Sequence, residues 1–109
     1  MKWIYLIIAI ITEVIATSAL KESQGFSKFF PSIIVVVGYS LTFYFMSLTL
    51  KEMSVGITYA IWSGMGILLI SLIGYFRYNQ VLDSAAILGM SFIAMGIIIL
   101  RFFSKSIEV

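Results

Sequence analysis

The sequence predicts an all-α membrane protein with four transmembrane helices. Of its 109 residues, 61% are hydrophobic and only 11% are charged, whereas a soluble domain carries about 25% charged residues. A compact soluble fold of this size cannot bury so much apolar surface. Every charged residue except Glu13 lies outside or at the edge of a long apolar run: Lys2, Lys21, Glu22, Lys28, Lys51, Glu52, Arg77, Asp83, Arg101, Lys105 and Glu108.

The four apolar runs have the length of membrane spans, because a spanning helix needs roughly 17–25 residues. They do not alternate apolar and polar residues in the way that barrel strands do. The connecting segments are short, so consecutive helices are expected to be antiparallel neighbours. We predict a single transmembrane domain over residues 1–109, with helices at approximately 3–20, 29–50, 55–76 and 84–100.

The first run has an alternative interpretation as a cleaved signal peptide. Lys2, the apolar stretch after it and the small residues Ala16 and Ser18 resemble one. However, the segment is long enough to span a membrane, and Glu13 interrupts the region that should be unbroken in a signal peptide. We therefore predict that it forms the first helix.

The composition excludes several kinds of chemistry. The chain has no Cys and no His, which excludes disulfides, thiolate or imidazole metal sites and Ser-His-Asp catalysis. A net charge of +2 is too small to indicate nucleic-acid binding. One intramembrane acid without a base or nucleophile does not form an active site. We predict no enzyme activity, no metal and no cofactor.

The basic residues divide almost evenly between the two predicted membrane faces, so the positive-inside rule does not fix the orientation. One interpretation is a weak preference for cytoplasmic termini, and the other is insertion in both orientations. An antiparallel homodimer would then supply the inverted repeat of many transporters. The two faces carry Lys2, Lys51, Arg101 and Lys105 on one side, and Lys21, Lys28 and Arg77 on the other.

Glu13 is the one charge within a predicted span, and such residues are functional candidates by default. No basic residue lies at a comparable depth in another predicted helix. Burial favours the neutral form of a carboxyl group, whereas a bound cation favours the ionised form. Glu13 could therefore bind a proton and a cation in competition. The alternative is a permanently protonated Glu13 that hydrogen-bonds a neighbouring helix.

Aromatic and small residues accompany this acid. Tyr39 and Phe43 lie four residues apart in helix 2, and Tyr59 and Trp62 lie three apart in helix 3, so each pair shares a face. Aromatic faces attract cations, although lipid-facing or core aromatics are equally consistent with the pattern. Ala9, on the Glu13 face of helix 1, leaves room for a ligand or for a packed helix.

Two pairs of glycines have a defined spacing. Gly64 and Gly66 lie in the middle of helix 3, where paired glycines can produce a bend for alternating access or close packing. Gly89 and Gly96 are seven residues apart in helix 4, so both lie on one face that could form a helix–helix contact.

These residues together resemble the small multidrug resistance transporters over essentially the whole chain. The most specific match is the Tyr-Ala-Ile-Trp-Ser-Gly run at 59–64, combined with the acid in helix 1. Further matching stretches lie at residues 12–17, 20–21, 25–26, 30–32 and 56–66.

The resemblance implies a role for each matching position. Glu13 would bind the proton and the substrate, and Tyr39, Tyr59 and Trp62 would line the substrate path. Residues 64–66 would form the kink, and the helix 4 glycines would form dimer contacts in an antiparallel homodimer. The resemblance also implies a multi-pass protein of the bacterial inner membrane, with the lipid bilayer and cationic drugs as partners.

Position 16 separates two branches of this family. The guanidinium-exporting branch typically has Trp three residues after the helix 1 Glu, and this chain has Ala16. It therefore resembles the multidrug branch, which exports aromatic and quaternary ammonium cations. Multidrug members carry a Tyr near the start of helix 1, where this chain has Trp3, which can stack on a cation but cannot accept a hydrogen bond.

The sequence thus predicts a proton-coupled antiporter of hydrophobic and aromatic cations, in which the proton and the drug compete for Glu13. Trp3, Ala9 and Phe43 join the residues predicted to line the substrate site. The alternatives are a guanidinium-type exporter of the same family, a dual-topology ion channel, and a structural subunit without transport.

Overall fold

The computed structural model describes residues 1–108, which form four α-helices and no β-strand beyond one isolated bridge. All four helices are long and apolar enough to cross a membrane, which confirms the predicted all-α fold with four spans. At 1.5 Å per residue they are about 28–36 Å long, against about 30 Å for the hydrocarbon core. The helices are α1 Lys2–Glu22, α2 Phe29–Thr49, α3 Val55–Tyr78 and α4 Ser84–Phe102.

The helix ends differ from the predicted ones by one or two residues. Helix α1 continues through Lys21 to Glu22, and α3 continues through Arg77 to Tyr78. Backbone hydrogen bonding does not stop at the first charge, because long charged side chains can extend toward water from the last helical turn. The boundary of an apolar run therefore marks the hydrocarbon edge rather than the helix end.

The chain divides into two compact units, residues 1–52 with α1 and α2, and residues 53 onward with α3 and α4. The expectation of a single domain over residues 1–109 remains a prediction.

In the first unit, α1 and α2 approach closely at Gly38. A Cβ atom added to Gly38 would lie only 2.8 Å from the Cβ atom of Ala16 and 3.3 Å from the Thr12 carbonyl oxygen. Four residues further along α2, the hydroxyl groups of Thr12 and Thr42 form a 2.7 Å hydrogen bond between the helices. Small residues therefore bring the two backbones together, as is typical of membrane helix pairs.

A tight turn joins α1 to α2. The backbone is left-handed at three consecutive residues, Gln24, Gly25 and Phe26, with φ values of 47°, 71° and 64°. Ser23 is fully buried, and its hydroxyl oxygen accepts a hydrogen bond from the Phe26 amide at 3.1 Å. This turn reverses the chain within a few residues, as the short connecting segment requires.

In the second unit, a glycine also determines where α3 and α4 pack. A Cβ atom on Gly64 would lie 2.8 Å from the Ile97 Cδ1 atom and 3.3 Å from Ile93 Cγ2. The Asp83 carboxylate caps the start of α4 by accepting a 2.8 Å hydrogen bond from the Ala86 amide. No residue of α4 is buried, so this helix presents its apolar side chains to the surroundings.

The segment after α4 returns to the start of α3. The Ser54 amide donates to the Ile107 carbonyl oxygen at 2.7 Å, and the Ser54 hydroxyl donates to the Ser106 carbonyl oxygen at 2.9 Å. Met53 and Glu108 form the isolated antiparallel bridge next to this contact. Ser54 occupies the N-cap position of α3, but its side chain makes no capping bond because it bonds the returning segment instead.

Candidate functional site

Glu13 lies near the middle of α1, and its two carboxylate oxygens have different surroundings. Oε1 accepts a 2.8 Å hydrogen bond from the Thr17 hydroxyl, one helical turn further along. Oε2 is buried and has no hydrogen-bond partner in the part of the chain that the structure describes. A buried polar atom without a partner is costly. Oε2 is therefore an unsatisfied acceptor in the middle of α1.

Tyr39 of α2 extends this arrangement through Thr17. The two hydroxyl oxygens are 2.6 Å apart, and either group could donate when the pair is considered alone. Thr17 has a single hydroxyl proton, and this proton is donated to Glu13. The Tyr39 hydroxyl must therefore donate to Thr17. The result is a directed chain of hydrogen bonds from Tyr39 through Thr17 to the carboxylate, crossing from α2 to α1.

An aromatic pair continues from this chain along α2. The rings of Tyr39 and Phe43 are stacked, with centroids 6.4 Å apart and an interplanar angle of 22°. Phe43 is exposed, Trp3 is partly exposed and Ala9 is fully buried. The structure thus brings Glu13 and Tyr39 together through Thr17, with Phe43 beside Tyr39.

The second unit contains the other predicted aromatic pair. The rings of Tyr59 and Trp62 meet edge to face with centroids 5.3 Å apart, and Tyr59 is exposed. The preceding residue, Thr58, is fully buried, and its hydroxyl has no hydrogen-bond partner among the described residues. This buried hydroxyl is a polar feature of α3 that the sequence analysis did not identify.

The predicted glycines have different surroundings. Gly64 and Gly66 are buried in a continuous α3, and Gly64 provides space for Ile97 of α4. Gly89 and Gly96 have no atom within 4 Å of an added Cβ. The face of α4 that carries these two glycines is therefore open within this chain. The dimer contacts predicted for Gly89 and Gly96 remain predictions, as does the hinge predicted at Gly64 and Gly66.

The sequence analysis did not identify Thr17 as a hydrogen-bond partner of Glu13. The i, i+4 spacing of Glu13 and Thr17 was an available signal, because residues four apart are neighbours on a helix surface. The contact with Tyr39 had no such signal, because the two residues are 22 positions apart. Among the described residues, no group of three or more potential ligands could hold a metal ion.

The fold and the site define a four-span membrane protein with one intramembrane carboxylate. The family model described as Small Multidrug Resistance protein matches residues 1–93, and the chain belongs to this family.

Its relatives are bacterial resistance proteins and transporters. It is 48% identical to the quaternary ammonium compound-resistance protein QacE of Escherichia coli, over 95% of this chain and 94% of that protein. It is 50% identical to the corresponding protein QacF of Klebsiella aerogenes, with the same coverage. It is also 47% identical to the multidrug transporter PA4990 of Pseudomonas aeruginosa, over 96% of each chain.

These findings confirm the predicted family, its association with transport and drug resistance, and a multi-pass location in the bacterial inner membrane. They are consistent with a transporter rather than an enzyme.

Proposed function

We propose that the protein exports hydrophobic, aromatic and quaternary ammonium cations in exchange for protons, with Glu13 binding the proton and the cation alternately. The buried Oε2 atom, which has no partner among the described residues, carries this proposal. In a membrane, an ionised carboxylate is costly without a counter-ion. A proton or an organic cation at Oε2 removes that cost, and the two cannot occupy it together.

The names of the relatives support the substrate class. Two of them are quaternary ammonium compound-resistance proteins. A quaternary ammonium ion has no N–H donor, so it is recognised by charge and by aromatic faces. The carboxylate of Glu13 supplies the charge, and Tyr39 and Phe43 supply stacked aromatic faces near it. We also propose that the substrate site is lined by Trp3, Ala9, Tyr59 and Trp62.

The proposed transporter is a homodimer of two chains in opposite orientations. The unburied α4 helix supports this proposal, since its glycine face is open to a second helix.

Transport that follows a pH gradient is the direct test. In proteoliposomes with an acidic interior, we expect a labelled quaternary ammonium ion to accumulate against its concentration gradient, because protons leave as the cation enters. Reversing the pH gradient should reverse the flux, and a protonophore should abolish accumulation. Flux that only equilibrates the cation, whatever the pH gradient, would contradict antiport and indicate a channel.

The hydrogen-bonded chain gives a second prediction, on Thr17. Replacing Thr17 with valine leaves both Glu13 Oε1 and the Tyr39 hydroxyl without their partner. We expect cation binding to weaken by about tenfold, since an unsatisfied buried polar group costs about 1–3 kcal/mol. The affinity should be measured by calorimetric titration at several pH values, because a changed Oε1 environment also changes competition by protons.

Tyr39→Phe provides the matched control, because it removes only the outer hydroxyl. We expect a smaller loss than for Thr17→Val, and no additional loss when Tyr39→Phe is combined with Thr17→Val. Independent, additive effects of the two substitutions would show that Tyr39 does not act through Thr17.

A further inference from the structure

The surface of the first unit carries an apolar groove along α2. It consists of two adjoining cavities of about 300 Å³ each, which share Ile33 and Val37 as lining residues. At one end the groove begins at Phe29, the first residue of α2, and at the other it reaches Leu41. Thr12 and Gly38 line the inner part, next to the close contact between the helices.

The length of this groove corresponds to one leaflet of a bilayer. From Phe29 to Leu41 the helix rises about 18 Å, whereas half of the hydrocarbon core is about 15 Å. The groove thus starts at a membrane surface and ends near the midplane.

A lysine directly precedes Phe29, the residue at which the groove begins. Lys28 is exposed and immediately precedes α2, whose first turn contains no acidic residue. The positive end of the helix dipole lies at the same place. Lys21 and Glu22, at the end of α1, have opposite formal charges, so Lys28 gives residues 21–28 a net formal charge that is positive. An apolar groove that begins next to an exposed lysine matches an acyl chain attached to an anionic head group.

We propose that this groove binds one acyl chain of an anionic phospholipid, whose phosphate lies at Lys28. The occupant would be a lipid from the bilayer leaflet at the α1–α2 turn. The proposed lipid site is the face of α2 formed by Ile33, Val37 and Leu41. Lipid binding at this face does not depend on the proposed transport reaction.

The test is a count of the lipids that the purified protein retains. The intact protein in a mild detergent is mixed with equal amounts of phosphatidylglycerol and phosphatidylcholine that carry the same acyl chains, and bound lipids are counted by native mass spectrometry. We expect phosphatidylglycerol to be retained about fivefold more, which is the preference expected from one Lys near an anionic head group.

Two substitutions separate the head-group contact from the groove. Lys28→Gln should remove the preference for phosphatidylglycerol, whereas Lys51→Gln, which removes an exposed charge after the other end of α2, should leave it unchanged. Val37→Phe should lower the retention of both lipids by filling the groove. Ile7→Phe, at an equally exposed position of α1 (53% exposed against 52% for Val37), should not.

Three results would overturn the proposal. One is equal retention of the two lipids by the unmodified protein, and another is an equal effect of Lys28→Gln and Lys51→Gln. The third comes from a photo-crosslinking residue placed at Ile34 in the groove. An adduct with lipid supports the proposal, whereas a crosslink to a second chain would show that the groove is a protein interface.

Discussion

Glu13→Gln is expected to abolish the accumulation of a quaternary ammonium ion driven by a pH gradient. Glutamine has nearly the same shape and can still accept the Thr17 hydrogen bond, which is 2.8 Å long in the native protein. It cannot become negative or exchange a proton, so both proposed ligands of Oε2 lose their binding partner. We expect binding to weaken by at least tenfold, because a contact with a charged group contributes about 1.5–3 kcal/mol. Proteoliposome uptake and calorimetric binding measure the two effects.

Glu13→Asp is the control for this substitution, because it keeps the charge but shortens the side chain by one methylene group. We expect reduced transport that still reverses with the pH gradient. Gradient-driven uptake by the glutamine variant at the native rate would show that another group carries the proton, and the proposed function would then be wrong.

Among the proposed substitutions, Gly38→Val should lower the free energy of unfolding the most. A Cβ atom added at this position would lie 2.8 Å from the Ala16 Cβ atom, and neither backbone can move away without separating the helices. Overpacking of this kind typically costs about 1–3 kcal/mol. The same separation would lengthen the hydroxyl contacts Thr12–Thr42 and Thr17–Tyr39. We therefore expect lower thermal stability in detergent, measured by circular dichroism, together with weaker cation binding.

Two controls test the steric explanation. Gly56→Ala introduces a methyl group where no atom lies within 4 Å, so we expect little change in stability. Ala16→Gly combined with Gly38→Ala transfers the methyl group from one helix to the other and removes the Cβ–Cβ clash. If this double variant is no more stable than Gly38→Ala alone, the close contact with Ala16 does not explain the effect.

The positions of the charges were enough to predict the number, order and approximate bounds of the helices. They were not enough to predict the Ser54 contact with the segment after α4. Ser54 lies in the connecting segment before α3, and its partners Ser106 and Ile107 are more than fifty residues away in sequence. A serine before a helix usually caps it, and only the fold shows that its hydroxyl bonds elsewhere.

The candidate site was only partly predictable. An acid within an apolar span identifies Glu13 directly, because the cost of charge in hydrocarbon is a property of one residue and its immediate sequence. Tyr39 was also a candidate, but its route to Glu13 through Thr17 depends on which faces of α1 and α2 meet. Many faces of these helices contain small residues, so spacing did not distinguish Gly38 as the contact point.

Hydropathy and charge act locally along the chain, so they were sufficient to predict a four-helix membrane protein with a single intramembrane acid. Only the packing of the helices shows which oxygen of Glu13 has no hydrogen-bond partner among the described residues, which hydroxyl groups connect to the other oxygen, and where an apolar groove lies along α2. These features arise from contacts between residues that are distant in sequence. They depend on the close approach of two helices at Gly38, which fixes their separation and rotation together.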